Sequence, residues 1–234
     1  MQSVKEFFTA EGGEFTTDVE QILLKIPQIK AFIFDWDGVF NDGTKNENMT
    51  SLFAEPDSMG TNLLRFSFWL DHKSLPPVAI ISGEKNSSAH KFATRERINA
   101  FYFKFANKTD ALLDFCAQNN LKPDEIAFVF DDVIDLTLAQ MVGLRFLVRR
   151  KGSPLMTNFV RNNDLCDYIT ACRGGEHAVR EVCELMMGLR GNFDRVMKER
   201  MLFGDLYKNY VREKNQSVLT FYTWRDEKVT QTDF

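Results

Sequence analysis

Residues 31 to 43, AFIFDWDGVFNDG, constrain this chain more than any other stretch. Ala31 to Phe34 make a short apolar run closed at once by a turn signal. That is the pattern of a strand buried on both faces at the centre of a parallel sheet. At the end of such a strand, side chains at i and i+2 leave on the same side, so Asp35 and Asp37 are presented together. Gly38 lets the backbone turn sharply just after them. Two carboxylates this close repel each other unless a cation or a shared proton compensates. A solvated acidic turn is the plain alternative, because short motifs match by chance, so the rest of the chain has to decide.

Strand and helix signals alternate along most of the sequence. Thr17 and Glu20 have capping-box spacing and open a helix that Pro27 ends. After Gly38, VFNDGTKNENMTSLFAE is predicted to be a β-hairpin flap. A helix follows over 57–70, then the strand VAIIS ending at Ser82 and Gly83, a helix over NSSAHKFATRERI and the strand AFYF. The helix NKTDALLDFCAQNN leads to the strand EIAFVF, which runs into Asp131, Asp132 and Asp135. LTLAQMV, LRFLV, SPLMTNFVRNN and DYIT continue as helix, strand, helix and strand. This alternation predicts an α/β fold with a doubly wound parallel sheet. Each acidic or hydroxyl cluster falls at the C-terminal end of a strand, the edge where open α/β sheets bind ligands.

Residues 1 to 16 are expected to be a loose lead, residues 17 to 189 the folded domain, and residues 190 to 234 a helical extension and tail. From residue 174 onward an apolar helical stripe includes Val179, Val182, Leu185 and Met186, which suits core or oligomer packing. Residues 211 to 234 leave three alternatives open: an added edge strand, a docking tail or disorder.

Composition excludes several classes. A chain of 234 residues supports one substantial α/β core with extensions. A net charge of −4 gives no general nucleic-acid-binding surface. No run reaches transmembrane length and the N-terminus has no signal-peptide core, so no membrane partner and a cytoplasmic location are expected. The four cysteines have no zinc-type spacing, and HExxH and GxSxG are both missing.

The segment DWDGVFNDG resembles motif I, DxDGxxxxxG, of the phosphatase branch of the haloacid dehalogenase (HAD) superfamily. A carboxylate attacking a phosphate needs a divalent cation, fixed positive charge and a proton donor for the leaving oxygen. The resemblance implies Asp35 as nucleophile and Asp37 as acid and base. It likewise implies Ser82 as the phosphoryl hydrogen-bonding residue of motif II and Lys108 as the lysine of motif III, with Lys104 as fallback. Asp131 and Asp132 match the acidic motif IV that holds Mg²⁺ together with Asp35 and Asp37, with Asp135 in support. Gly38, Asp57, Gly83 and Arg180 are the substrate-binding candidates.

No stretch between the motifs is long enough for a separate cap domain. The chain is therefore similar to the capless branch that includes 3-deoxy-D-manno-octulosonate (KDO) 8-phosphate phosphatase and related sugar-acid phosphatases. FxxxDxxG at Phe53, Asp57 and Gly60, NKTDAL, FDDVIDLTLA and GGEHAVREVCELM carry that likeness over about residues 18 to 188. It implies a Mg²⁺-dependent phosphomonoesterase acting on a small phosphorylated sugar or sugar acid, assembled as a homotetramer. Phe130, Pro56, Ser58 and His177 depart from the family glycine, arginine, glycine and glycine, and Ser82 replaces threonine. A non-catalytic or regulatory assembly protein on the same fold is the alternative of a different class. A phosphatase for nucleic-acid ends is disfavoured by the acidic balance.

Overall fold

The computed structural model describes residues 4–234; residues 1 to 3 of the expected loose lead lie outside the described residues. Helix α1 (Val4–Ala10), strand β1 (Glu14–Phe15) and helix α2 (Val19–Lys25) precede the first central strand, β2 (Ala31–Phe34). Then follow α3 (Glu55–His72), β3 (Val78–Ser82), α4 (Ser87–Glu96), β4 (Ala100–Phe103), α5 (Lys108–Asn119) and β5 (Ile126–Phe130). A short α6 (Leu136–Ala139), β6 (Leu144–Leu147), α7 (Pro154–Asn162), β7 (Tyr168–Ile169) and α8 (Ala178–Leu189) continue the alternation. The C-terminal part adds α9 (Phe193–Leu202), α10 (Asp205–Lys214), β8 (Thr220–Arg225) and β9 (Lys228–Thr232).

Among the described residues the strands form one sheet in the order β1-β7-β6-β5-β2-β3-β4-β8-β9. The run from β7 to β8 is parallel, and the outermost strands β1 and β9 pair antiparallel. The chain winds from β2 toward β3 and β4 on one side and β5 and β6 on the other. The C-terminal ends of β2, β3 and β5 therefore flank the switch point where such sheets take ligands.

Alternation along each strand feeds two cores. Phe32, Phe34, Ile80, Phe101 and Val129 pack on one face with residues of α3 and α8. Ala31, Ile33, Ile81, Phe128 and Phe130 pack on the other with residues of α5 and α6. Phe130, where the family resemblance has glycine, points into the second core, fully buried and stacked on Phe128 with ring centroids 5.3 Å apart. The ring leaves the ladder intact, since the Phe130 carbonyl accepts the Val148 amide at 2.7 Å.

Where it is described, the lead packs against β7. Phe8 of α1 and Phe15 of β1 meet Tyr168 edge-on, with ring centroids at 6.3 and 4.9 Å. At the other terminus the three alternatives resolve to an added edge hairpin. β8 pairs with β4 from Ala100↔Thr220 to Phe103↔Thr223, and Tyr222 stacks on Tyr102 at 4.7 Å. Phe234 lies flat on His90 at 4.1 Å.

The hairpin flap expected after β2 is corrected. Residues 39 to 54 hold no strand; they form an irregular loop of turns. Side chains compete for the amides that a ladder would use. Gly43 donates to Asn41 Oδ1 at 2.9 Å, Thr44 to Asp42 Oδ1 at 2.8 Å, and Asn48 and Thr50 to Asn46 Oδ1 at 3.0 and 3.1 Å. Among the described residues no helix is long and apolar enough to cross a membrane.

Truncating the stacked ring should open a cavity beneath the acidic loop. Phe130→Ala is expected to cost about 3–5 kcal/mol, read as a lower midpoint in urea unfolding.

Candidate active site

Trp36 sets the geometry of the first loop. It is completely buried, stacked on Phe40 at 4.8 Å and packed against Phe92 at 5.5 Å, so the flanking carboxylates must leave on the opposite side. Its carbonyl accepts the Phe40 amide at 3.0 Å and Asn41 Nδ2 at 3.1 Å, while Asn41 Oδ1 takes the Gly38 amide at 3.3 Å. Gly38 has φ +90°, and a Cβ there would stand 2.0 Å from Asp131 Oδ2, so the position admits no side chain. Gly174 is equally constrained: a Cβ would lie 2.1 Å from the Gly38 carbonyl, so the 174–175 backbone rests directly on the first loop.

Asp35 ends β2 and is buried; its amide donates to the Val129 carbonyl at 2.9 Å. Lys108, in the first turn of α5, has no exposed surface, and its Nζ lies 2.6 Å from both Asp35 Oδ1 and Asp135 Oδ1. Burial alone would lower the Lys108 pKa, but the two carboxylates outweigh it and raise it above the usual lysine range. Lys104, the fallback, is exposed instead. Ser82, ending β3, is buried and its Oγ accepts the Glu84 amide at 3.2 Å. Gly83 beside it faces open space: a Cβ at this position would meet nothing nearer than the Phe105 carbonyl at 3.9 Å.

The acidic motif IV is rearranged relative to expectation. Asp35, Asp131 and Asp135, all buried, bring carboxylate oxygens within 4.8 Å of one another. Asp132, expected as a metal ligand, is not in this cluster: its Oδ1 accepts the Val133 amide at 2.7 Å and its Oδ2 pairs with Arg150 at 3.2 Å. The reason is local. A single 3₁₀ turn over Val133–Asp135 makes Asp132 the cap, half exposed, and returns Asp135 inward. Asp37 is expected at the metal through its backbone carbonyl, and its side chain has partners of its own. Ser51 Oγ donates to its Oδ1 at 2.6 Å, Asn86 Nδ2 approaches the same oxygen at 3.4 Å, and Lys45 pairs with Oδ2.

Burial pushes the Asp131 carboxyl well above the usual range, and the neighbouring Asp35 charge pushes it further against the pull of Arg150. Asp135 shifts the same way, for the same reasons, against Lys108. Arg150 Nη2 is 2.5 Å from Asp131 Oδ2, but as an unaligned ion pair, so both Asp131 oxygens lack a hydrogen-bond donor. Buried anions short of compensation and composed only of hard oxygen donors fit a cation such as Mg²⁺.

Two of the substrate-binding candidates have protein partners. Asp57 is fully buried, and its Oδ1 accepts the Arg180 amide at 2.9 Å, fastening the start of α8 to α3. Arg180 turns its guanidinium to Glu184 at 2.6 Å along its own helix. Among the departures, His177 keeps a left-handed backbone at φ 74°, the conformation a glycine adopts freely, and Pro56 sits in the first turn of α3.

Asn86 and Arg150 join the site without having been expected there, while Lys45 and Ser51 come from the segment expected as a flap over an active site. Asn86 has a legible signal as the cap of α4, whose Oδ1 takes the Ser88 amide at 2.9 Å. Arg150 follows β6 at the same sheet edge as the motifs, a position that strand counting reaches. Lys45 and Ser51 belong to an irregular loop and give no signal of their own.

A search against family models finds no match. Among curated proteins, the chain is 30% identical over 177 residues to 3-deoxy-D-manno-octulosonate 8-phosphate phosphatase KdsC of Escherichia coli, covering 74% of this chain and 87% of the relative. The chain belongs to the KDO 8-phosphate phosphatase family. With that family it falls among the phosphoric monoester hydrolases. Solved structures agree with this placement. KDO 8-phosphate phosphatase from Moraxella catarrhalis, crystallised with magnesium, phosphate and KDO, is 26% identical with a TM-score of 0.64 over 77% of this chain and 98% of its own. A HAD superfamily (subfamily III A) hydrolase from Legionella pneumophila is 27% identical with a TM-score of 0.65, covering 82% and 95%.

Burial raises the Asp57 carboxyl to about 6, so the folded chain holds its proton more tightly than the unfolded one. The sign follows: the folded state is favoured at low pH, and that contribution is lost as pH rises from 3.8 through about 6. Asp57→Asn keeps an acceptor for Arg180 and removes the slope. Above pH 6 the variant is expected to be more stable by on the order of 1–3 kcal/mol, measured by urea unfolding at pH 5 and 7.5.

Proposed function

We propose that this chain hydrolyses the phosphomonoester of a small phosphorylated sugar or sugar acid through an aspartyl-phosphate on Asp35, with Mg²⁺ as cofactor. One observation carries the reading: a buried Asp35 held by the buried Lys108, beside a cation-deficient cluster with Asp131 and Asp135. The magnesium, phosphate and KDO bound by the Moraxella catarrhalis relative support it.

Asp35, Asp131 and Asp135 would hold the metal, which supplies charge neutralisation between the phosphate and the attacking carboxylate when bound. The side chains do the rest. Lys108 neutralises Asp35 and keeps its Oδ1 fixed, so that the other oxygen is free to attack. Ser82 offers its hydroxyl to the phosphoryl oxygens. Asp37, steadied by Ser51 and Lys45, gives its proton to the departing alkoxide and takes one back from the water that cleaves the acyl phosphate. The buried Trp36 keeps both carboxylates on one side.

Assembly as a cytoplasmic homo-oligomer belongs to the same proposal. Met49 and Leu52 stand exposed on the loop beside the site, apolar positions that a neighbouring copy would cover.

Asp35→Asn is expected to abolish phosphate release from a panel of sugar and sugar-acid phosphates. Asp37→Asn should lower kcat by roughly 10²–10⁴-fold, the usual worth of a positioned acid and base. Release that persists in Asp35→Asn, or that needs no divalent cation, would sink the reading.

A further inference from the structure

The C-terminal hairpin touches the two loops that carry Ser82 and Lys108, and it does so from both faces of the sheet. Strand β8 runs parallel to β4, so its end points to the edge where the motif residues gather, and β9 folds back beside it. Side chains alternate along β8. Phe221 therefore packs on the face covered by α4, and Tyr222 on the face covered by α5. The hairpin lies beyond residues 18 to 188, over which the motifs resemble the family.

On the α5 face, the Trp224 ring meets Phe105 edge-on, with centroids 6.1 Å apart. Phe105 is buried in the link between β4 and Lys108, and its amide donates to the Ser82 carbonyl at 3.4 Å. One aromatic contact thus bears on the backbone of both residues. On the α4 face, Phe234 lies flat on His90 in the first turn of α4, and the Lys85 ammonium stands over the same ring at 4.6 Å. Lys85 belongs to the loop that follows Ser82. Its neighbours there are Glu84, whose amide Ser82 Oγ accepts, and Asn86, which caps α4 and donates to Ser51 Oγ.

Attachment of the hairpin needs neither ring. The ladder with β4 and the stack of Tyr222 on Tyr102 dock it, while Trp224 remains 40% exposed and Phe234 half-buried. What these two rings add is contact with the loops.

We infer that Trp224 and Phe234 are positioning residues: they brace the loops that aim Lys108 and Ser82, and so set the rate of phosphoryl transfer without meeting the substrate. The inference rests on the phosphatase reading for what Ser82 and Lys108 do, but the brace itself can be read without turnover.

The experiment compares the full chain with its Trp224→Ala and Phe234→Ala variants by two readouts. The first is amide hydrogen exchange followed by mass spectrometry. Trp224→Ala should speed exchange roughly tenfold over residues 104–109, and Phe234→Ala likewise over residues 84–90, while strand β5 keeps its protection in both. The second is phosphate release from p-nitrophenyl phosphate and from 6-phosphogluconate in Mg²⁺. Here kcat and kcat/KM should fall together by about 10- to 100-fold, the effect of reacting groups displaced by a fraction of their spacing. Trp224→Phe and Phe234→Tyr, which keep a ring, should restore both readouts. Unchanged exchange in either loop, faster exchange that spreads to β5, loosened loops with undiminished kcat, or ring-keeping variants that restore nothing would each overturn the brace as a positioning device. If the unmodified chain releases phosphate from neither probe while exchange follows the expected pattern, the phosphatase reading fails and the brace stands.

Discussion

A lysine with no solvent exposure, held between two buried aspartates, is the interaction on which the site depends. An ammonium and a carboxylate each cost several kcal/mol to remove from water, and the cost is recovered only when geometry is tight and every charge finds a partner. Lys108 reaches both carboxylates because helix α5 starts just after β4, next to β3 and one strand from β2, so its first turn faces the end of β2. The two contacts at 2.6 Å tie the nucleophile candidate to the acidic loop after β5. Three segments of the sheet's C-terminal edge are thus joined through one nitrogen.

That arrangement needs a rigid floor, which the aromatic residues provide. Trp36 sits between the paired carboxylates and is clasped by Phe40, Phe53 and Phe92. Phe130 and Phe128 stack below the acidic loop. Close packing of this kind resists small displacements, because any shift forfeits many contacts at once. The glycines at 38 and 174 mark where backbone must approach polar groups with no side chain between them.

The central part of this organisation is legible in the sequence, and the reason is periodicity. In a parallel sheet every strand points the same way, so Asp35, Ser82, Lys108 and Asp131 arrive at one edge once the strands are recognised. What lies in irregular backbone is not legible. The exchange of Asp132 for Asp135 turns on a single 3₁₀ turn, and no residue pattern distinguishes it from an ordinary helix start. The turn formers after β2 suit a hairpin, yet the Asn and Asp side chains among them take the amides that strands would need. Likeness alone points Asp57 and Arg180 at the substrate, and nothing in local pattern shows the helix-to-helix contact they make. The edge hairpin at the C-terminus is undecidable from local pattern because its pairing with β4 spans about half the chain.

The tether between the loop and α4 has a dynamic consequence. Thr50 Oγ1 donates to Asn86 Oδ1 at 2.9 Å, Asn86 Nδ2 donates to Ser51 Oγ at 2.8 Å, and Ser51 in turn holds Asp37, as does Lys45 a few residues earlier. If residues 45 to 51 swing outward, they take both of the loop's grips on Asp37 with them. The conformation of the loop and the positioning of the carboxylate are thus mechanically linked, with Asn86 of α4 the contact to Asp37 that lies outside the loop.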